Sequence, residues 1–309
     1  MAAAVPIVTN IGTAVQPRAN DAGGISVATV EASGPIPYKI EQSGERCVTL
    51  LLEGVRTRMP EDTIKVYDGL LSIIEMTSRV DELRLVLSLE HPATLAVRRI
   101  PGLPARLRLE LSRAPLYHIL RGRRVVIDPG HGGDDIGGRG PIDLVEKRMT
   151  LTAARYLAEQ LTDLGCLVTL TRQDDTFLSW EERFAIAAHE HGEVMVSLHT
   201  GWFSDPARNG VKTCWLNPMG KPLAERIQAT LLRKLPLPDR GVGEGGPVVE
   251  IAMPAVIVEF ATISNPVEEG WLRSSTFLKR AAGAVVNGIK EYFGEDKKRS
   301  ELKAYASLH

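Results

Sequence analysis

Two patterns of apolar and polar positions divide this chain. From residue 45 to about 117 the apolar residues come in short, often alternating runs: Cys47 to Leu52, Ile64 to Tyr67, Leu71 to Ile74, Leu83 to Leu89 and Leu107 to Leu111. Gly54, Pro60, Asp68-Gly69, Pro92 and Pro101-Gly102 punctuate them. Alternation with period two, broken by turn residues, predicts a small antiparallel sandwich or barrel. From Arg124 onward the pattern changes. Buried-strand runs now alternate with helical periodicity, which predicts an α/β domain with a largely parallel sheet and helices on both faces.

The elements of this second region can be read in order. Val125 to Asp128 is a strand that exits into Pro129-Gly130-His131-Gly132-Gly133. A helix begins at Glu146, with Ala153, Ala154, Leu157, Leu161 and Leu164 on one face and Gly165 as its C-cap. Cys166 to Leu170 is a strand, and Ser179-Trp-Glu-Glu182 is a capping box that opens a helix to about His191. Strands follow at Val194 to Leu198, Val211 to Leu216, Val248 to Ile251 and Ala255 to Glu259. Helices are predicted over 221–234 and 276–293, and residues 236–246 read as a surface loop. Residues 1–44, rich in Ala, Gly, Pro, Ser and Thr, read as a loose arm, and 294–309 as a charged, frayed tail.

Composition narrows the class. The 309 residues are 44% hydrophobic and 24% charged, with 37 basic against 38 acidic side chains and a net charge of -1. That balance gives no overall field for nucleic acid or anionic lipid, so neither is expected as a partner. Three cysteines, Cys47, Cys166 and Cys214, are far apart and form no Cys-x-x-Cys pair, which supports neither a disulfide framework nor a thiolate metal cluster. No run approaches the roughly 20 apolar residues of a membrane span. The first ten residues lack a basic segment and are interrupted by Pro6 and Asn10, so no signal peptide is read there.

The candidate chemistry lies at strand ends. Three times an apolar strand runs into a ligand-type residue: Val-Val-Ile-Asp leads to His131, Val-Met-Val-Ser-Leu to His199, and Val-Ile-Val to Glu259. In a parallel sheet these carboxyl ends line one edge, where open α/β folds place their sites. Glu146 starts the helix after the first of these strands and falls at the same edge. Two imidazoles and two carboxylates suit metal-assisted hydrolysis: zinc takes two His and one carboxylate, and a second carboxylate serves as acid and base. Spacing alone does not say which Glu is ligand and which is base. His189-Glu190-His191 does not put both rings on one helix face and reads as a solvated helix end. Asp134-Asp135 reads as exposed and Asp128 as a structural turn residue. Gly241 to Gly246 has dinucleotide-fingerprint spacing, but no strand precedes it and no helix follows, so no such site is assigned.

Taken together and in order, these residues resemble a family. Val125 to Gly133, Val145-Glu146-Lys147, Leu170-Thr-Arg172 with Asp174 to Phe177, Glu182-Arg183, Ser197-Leu-His199, and Pro254 to Glu259 followed by Ser264-Asn265-Pro266 resemble the zinc-dependent N-acetylmuramoyl-L-alanine amidases of the amidase-3 type. The resemblance covers about 124–293. It implies a twisted six-stranded α/β sheet and a Zn2+ cofactor. It also implies hydrolysis of the amide joining N-acetylmuramic acid to L-alanine in peptidoglycan, hence a place in the cell envelope. By motif position it implies His131, Glu146 and His199 as metal ligands and Glu259 as the catalytic residue. Arg183 and Arg240 fall in family-like segments without an assigned role. Thr200-Gly201-Trp202 and Ala261-Thr-Ile departs from the family's usual residues there. The 45–117 region resembles the cell-wall-targeting AMIN domain. A catalytically silent zinc- and peptidoglycan-binding module and a zinc peptidase acting on the stem are the alternatives, and a protein activator cannot be read from the residues.

Overall fold

A computed structural model describes residues 5–17, 23–44, 46–60, 62–66, 68–247 and 251–306. The chain divides into two compact units, residues 1–118 and 119–309.

The first unit is all β but for its end. Its strands are β1 (Ile7–Gln16), β2 (Ile25–Ala32), β3 (Lys39–Gly44), β4 (Cys47–Glu53), β5 (Arg56–Thr57), β6 (Thr63–Lys65), β7 (Leu71–Arg79), β8 (Glu82–Leu89), β9 (Leu95–Ile100) and β10 (Ala105–Ser112). They form two five-stranded sheets, β5-β1-β2-β10-β9 and β3-β4-β8-β7-β6, antiparallel throughout except for the β1–β5 pair. The period-two reading holds at the level of side chains: Leu83, Leu85, Leu87 and Leu89 of β8 and Leu107, Leu109 and Leu111 of β10 are all buried.

The loose arm expected over 1–44 is corrected by this sheet. β1, β2 and β3 lie within it, and β2 sits in the middle of its sheet, paired with β1 on one side and β10 on the other. Small and β-branched residues such as Ser26, Val27, Ala28 and Val30 are buried there. Their partners in β10 lie up to 85 positions away, as in Ser26 with Leu111, so local composition carries little sign of the pairing.

A helix, α1 (Ala114–Leu120), spans the boundary between the two units. The second then runs β11 (Arg124–Pro129), α2 (Glu146–Asp163), β12 (Leu167–Leu170), α3 (Trp180–His189), β13 (Val194–Gly201), β14 (Val211–Trp215), α4 (Lys221–Lys234), β15 (Asp239–Glu244), β16 (Ala255–Thr262), α5 (Pro266–Leu272) and α6 (Ser275–Ala306). One six-stranded sheet of order β12-β11-β13-β16-β14-β15 forms its centre. Its pairs are parallel except β14 against β16. The mostly parallel six-stranded architecture implied by the resemblance is therefore the observed one.

Local signals explain several element ends. At α3 both bonds of the capping box form: Glu182 N–H donates to Ser179 Oγ at 3.3 Å and Ser179 N–H to Glu182 Oε2 at 2.7 Å. Asn265 caps α5 by accepting from Val267 and Glu268 N–H. Ala187 of α3 packs with Val126, Met195 and Ala255, which places α3 on the sheet face that carries the alternate residues of β11 and β13.

Other boundaries moved. The surface loop expected over 236–246 contains β15, which among the described residues is an edge strand paired with β14 alone. The frayed tail expected from 294 continues α6 to Ala306. The strand expected at Val248 to Ile251 falls largely outside the described residues. Among the described residues, no helix is long and apolar enough to cross a membrane.

The cysteines are all free. Burial, reinforced by the charge of Glu193, pushes the Cys166 thiol up to about 12 from an ordinary value near 9. The thiolate is the nucleophile, so native Cys166 is expected to resist alkylation at pH 8 and to react once the chain is unfolded. Mass spectrometry of peptides after N-ethylmaleimide treatment checks this; rapid native labelling at Cys166 contradicts it.

Candidate metal centre

The site is built at the carboxyl end of β11. Asp128, fully buried in that strand, accepts a 2.6 Å ion pair from Arg183 Nη1 of α3 and hydrogen bonds from the Thr171 and Ser197 hydroxyls. It is a buried anchor within a strand rather than the turn residue expected. Arg183 also donates to the carbonyls of Pro129 at 2.9 Å and His131 at 3.0 Å. Arg172 donates to Pro129 O and Gly130 O, both at 2.9 Å. Two buried guanidinium groups thus hold the peptide carbonyls of the Pro-Gly-His turn. That support matters because His131 has φ of +62°, a left-handed conformation that costs a non-glycine residue about 1–3 kcal/mol.

The turn and the strand ends bring three donors together. His131 Nε2 lies 3.2 Å from Glu146 Oε2, and His199 Nδ1 lies 3.3 Å from Glu146 Oε1. One donor atom from each of the three residues lies within 4.8 Å of the other two. A tetrahedral ion with bonds of about 2.0–2.1 Å needs neighbouring donors about 3.3 Å apart, and each imidazole stands at that spacing from one of the two Glu146 oxygens. The orientation of the rings agrees. Asp135 Oδ2 sits 2.8 Å from His131 Nδ1, which turns the other ring nitrogen toward Glu146. His199 Nε2 is buried and makes no hydrogen bond among the described residues. Trp180 stacks on the His199 ring with centroids 6.0 Å apart.

Glu146 is buried at the first position of α2, where the helix dipole favours an anion. Its Oε1 accepts from Thr200 N–H and its Oε2 from Gly138 N–H, each at 2.7 Å. Burial opposes its ionisation, but the two imidazoles outweigh burial and hold its pKa far below the usual carboxylate range. For His131, burial opposes the charge, and the bonds and charges of Glu146 and Asp135 overcome it and raise its pKa. A carboxylate between two imidazoles is a donor set that could hold a divalent cation.

Glu259 stands next to this group. It is the register partner of His199 in the parallel β13–β16 pair, so the two side chains project from the same face of the sheet on adjacent strands. Its Oε2 accepts from Arg240 Nη1 of β15 at 2.6 Å, and the Arg240 guanidinium lies 4.5 Å over the Phe203 ring. The three residues singled out by the strand-end pattern and Glu146 at the start of α2 thus gather at one edge of the sheet. His189 and His191 stay out of it: His189 pairs with the neighbouring Glu190. The pattern missed Asp135, the Arg183–Asp128 pair and the Arg240–Glu259 pair. Each is a contact across the fold or inside a tight turn, and no periodicity marks it.

Gly130 offers a direct test of the packing. A Cβ there would run into the His199 ring. Gly130→Ala is therefore expected to displace that ring and to weaken metal binding by about ten-fold or more. Competition against a fluorescent chelator measures this; unchanged affinity would show that the ring has room to move.

Known proteins share this half of the chain. "Probable cell wall amidase LytH" of Staphylococcus aureus is 33% identical over 178 residues, 56% of this chain and 60% of that protein. The protein of the same name from Staphylococcus epidermidis is 31% identical over an equal span. The match thus reaches about three fifths of the length of these curated relatives. Among solved structures, the catalytic domain of CwlV, an N-acetylmuramoyl-L-alanine amidase from Bacillus (Paenibacillus) polymyxa, is 34% identical with a TM-score of 0.53, covering 55% of this chain and 97% of that one. AmiC2 of Nostoc punctiforme, also an N-acetylmuramoyl-L-alanine amidase, is 30% identical with a TM-score of 0.53, covering 55% and 96%. The Amidase_3 family, described as N-acetylmuramoyl-L-alanine amidase, matches residues 125–291, the sheet and helices that carry all four residues of the site, and the chain belongs to that family.

Proposed function

We propose that the α/β unit hydrolyses the amide bond between N-acetylmuramic acid and L-alanine in peptidoglycan, with zinc held by His131, Glu146 and His199 and Glu259 as general base and acid. The observation that carries this reading is the convergence of those three donors beside Glu259 in a chain of this family. Zinc held there would polarise the scissile carbonyl and acidify a water molecule. The chain's own residues supply the rest. Asp135 orients His131, and two backbone N–H groups hold the Glu146 carboxylate. Arg240 holds the Glu259 carboxylate from one side. Glu259 takes a proton from the attacking water and returns it to the leaving amine of alanine. The substrate lies outside the cytoplasmic membrane, which places the working protein at the cell envelope. The two-sheet amino-terminal unit serves as a cell-wall-targeting module of the AMIN kind.

Metal analysis and digestion of purified muropeptides test the reading. The expected result is about one zinc per chain and release of intact stem peptides bearing a free L-alanine amine. Cleavage within the stem, read by product mass, would instead make the protein a peptidase. Zinc-loaded protein that leaves muropeptides intact would remove the enzymatic reading.

A further inference from the structure

We infer that the Trp202 indole is a platform for a sugar ring of the glycan strand, an inference that rests on the amidase reading above. Trp202 follows the end of β13, three residues beyond His199. It is 55% exposed, whereas Trp180, Trp215 and Trp271 are half-buried. Its one polar atom is already used: Nε1 donates to Arg139 O at 3.2 Å. That bond fixes the ring and leaves its flat apolar faces as what it offers. Among the described residues, no aromatic ring or cation is found over those faces.

Position gives the exposure its meaning. The point where a Cβ on Gly138 would sit is 3.2 Å from Trp202 Cδ1 and also 3.2 Å from Glu146 Oε2. Gly138 itself donates its N–H to that same carboxylate oxygen. The indole therefore lies close to the Glu146 carboxylate, with Gly138 and the Ile263 methyl at the point where they approach. A substrate group held at Glu146 is therefore within reach of the indole.

The substrate chemistry selects what lies there. The carbonyl of the amide to be cut is that of the lactyl ether carried directly on the muramic acid ring. With the carbonyl at the metal group, that pyranose must lie within a few bonds of it. A pyranose turns one face of C–H groups outward, and such a face stacks on an indole with no hydrogen bond from the ring nitrogen. A peptide backbone would need donors and acceptors that this indole no longer has.

The test separates stacking from bracing. Trp202→Phe keeps a flat aromatic face but loses the bond to Arg139 O. Trp202→Leu loses both. If the indole only braces the loop, the two variants behave alike. If it stacks a sugar, Trp202→Phe keeps KM within about two-fold of wild type, while Trp202→Leu raises KM by about five- to ten-fold with kcat and zinc content little changed. Equal behaviour of the two variants overturns the inference.

A second measurement needs no turnover. The full chain labelled with 5-fluorotryptophan contains four tryptophans, and Trp202→Phe identifies the Trp202 fluorine signal by its loss. Titration with a peptide-free tetrasaccharide of alternating N-acetylglucosamine and N-acetylmuramic acid is expected to move that signal saturably. A signal that stays in place up to millimolar sugar overturns the inference even if the enzyme is active. A signal that moves in a protein that cleaves nothing leaves the sugar platform standing and removes the amidase reading alone.

Discussion

Glu259→Gln is expected to lower the turnover of muropeptides by about 10²–10⁴-fold while zinc content and thermal midpoint stay near those of the wild type. The amide is the same shape as the carboxylate, and its oxygen can still accept the bond that Arg240 Nη1 gives Glu259 Oε2 at 2.6 Å. Position in β16 and contact with β15 are therefore kept. What is lost is the capacity to take a proton from water and return it to the departing amine. The three metal donors belong to other residues, so the metal has no reason to leave. Single-turnover kinetics on a purified muropeptide, run beside metal analysis, reads both quantities. Activity within ten-fold of wild type would show that proton transfer runs through another group.

A second large effect is expected far from the reacting atoms. Asp128→Ala should destabilise the α/β unit by about 3–5 kcal/mol, because it leaves the Arg183 guanidinium buried and unpaired. For a unit of this size that lowers the thermal midpoint by roughly 10 °C. The loss is not only electrostatic. Arg183 bridges Asp128 to the carbonyls of Pro129 and His131, so the strained His131 turn loses its brace as well. The double variant Asp128→Leu with Arg183→Met removes both charges and should recover part of the stability. It should not recover full metal affinity, since the His131 carbonyl then has no guanidinium to hold it and Arg172 alone braces Pro129 and Gly130. Differential scanning calorimetry and chelator competition on the three proteins separate the two consequences. A single-variant loss below about 1 kcal/mol would mean that water reaches Arg183 and the pair is not truly buried.

These two expectations divide along the line between what the chain shows and what the fold adds. The residues themselves carried the α/β class of the second half, since a parallel sheet buried on both faces needs near-continuous apolar strands and those are visible. They also carried the four-residue site. His131, His199 and Glu259 each follow an apolar run, and a parallel sheet brings such ends to one edge, whatever the distance in sequence. The capping box at Ser179 and Glu182 was legible for a similar reason: it is a local bond pattern with a fixed spacing.

Other features depended on partners that no local pattern names. β1 and β2 are made mostly of small and β-branched residues that could serve a loop equally well. Pairing with β10, and the burial it brings, makes them strands. β15 is an edge strand whose glycines read as a turn until β14 lies beside it. Asp128 looks like a turn residue until Arg183 arrives from α3, and Asp135, exposed as its sequence suggests, gains a partner only because the left-handed His131 turns its ring onto it. Hydrophobic periodicity thus determined which residues face the core and which strand ends meet. Charge pairing and ring orientation depend on ångström-scale approach between distant segments, and only the tertiary structure decided those.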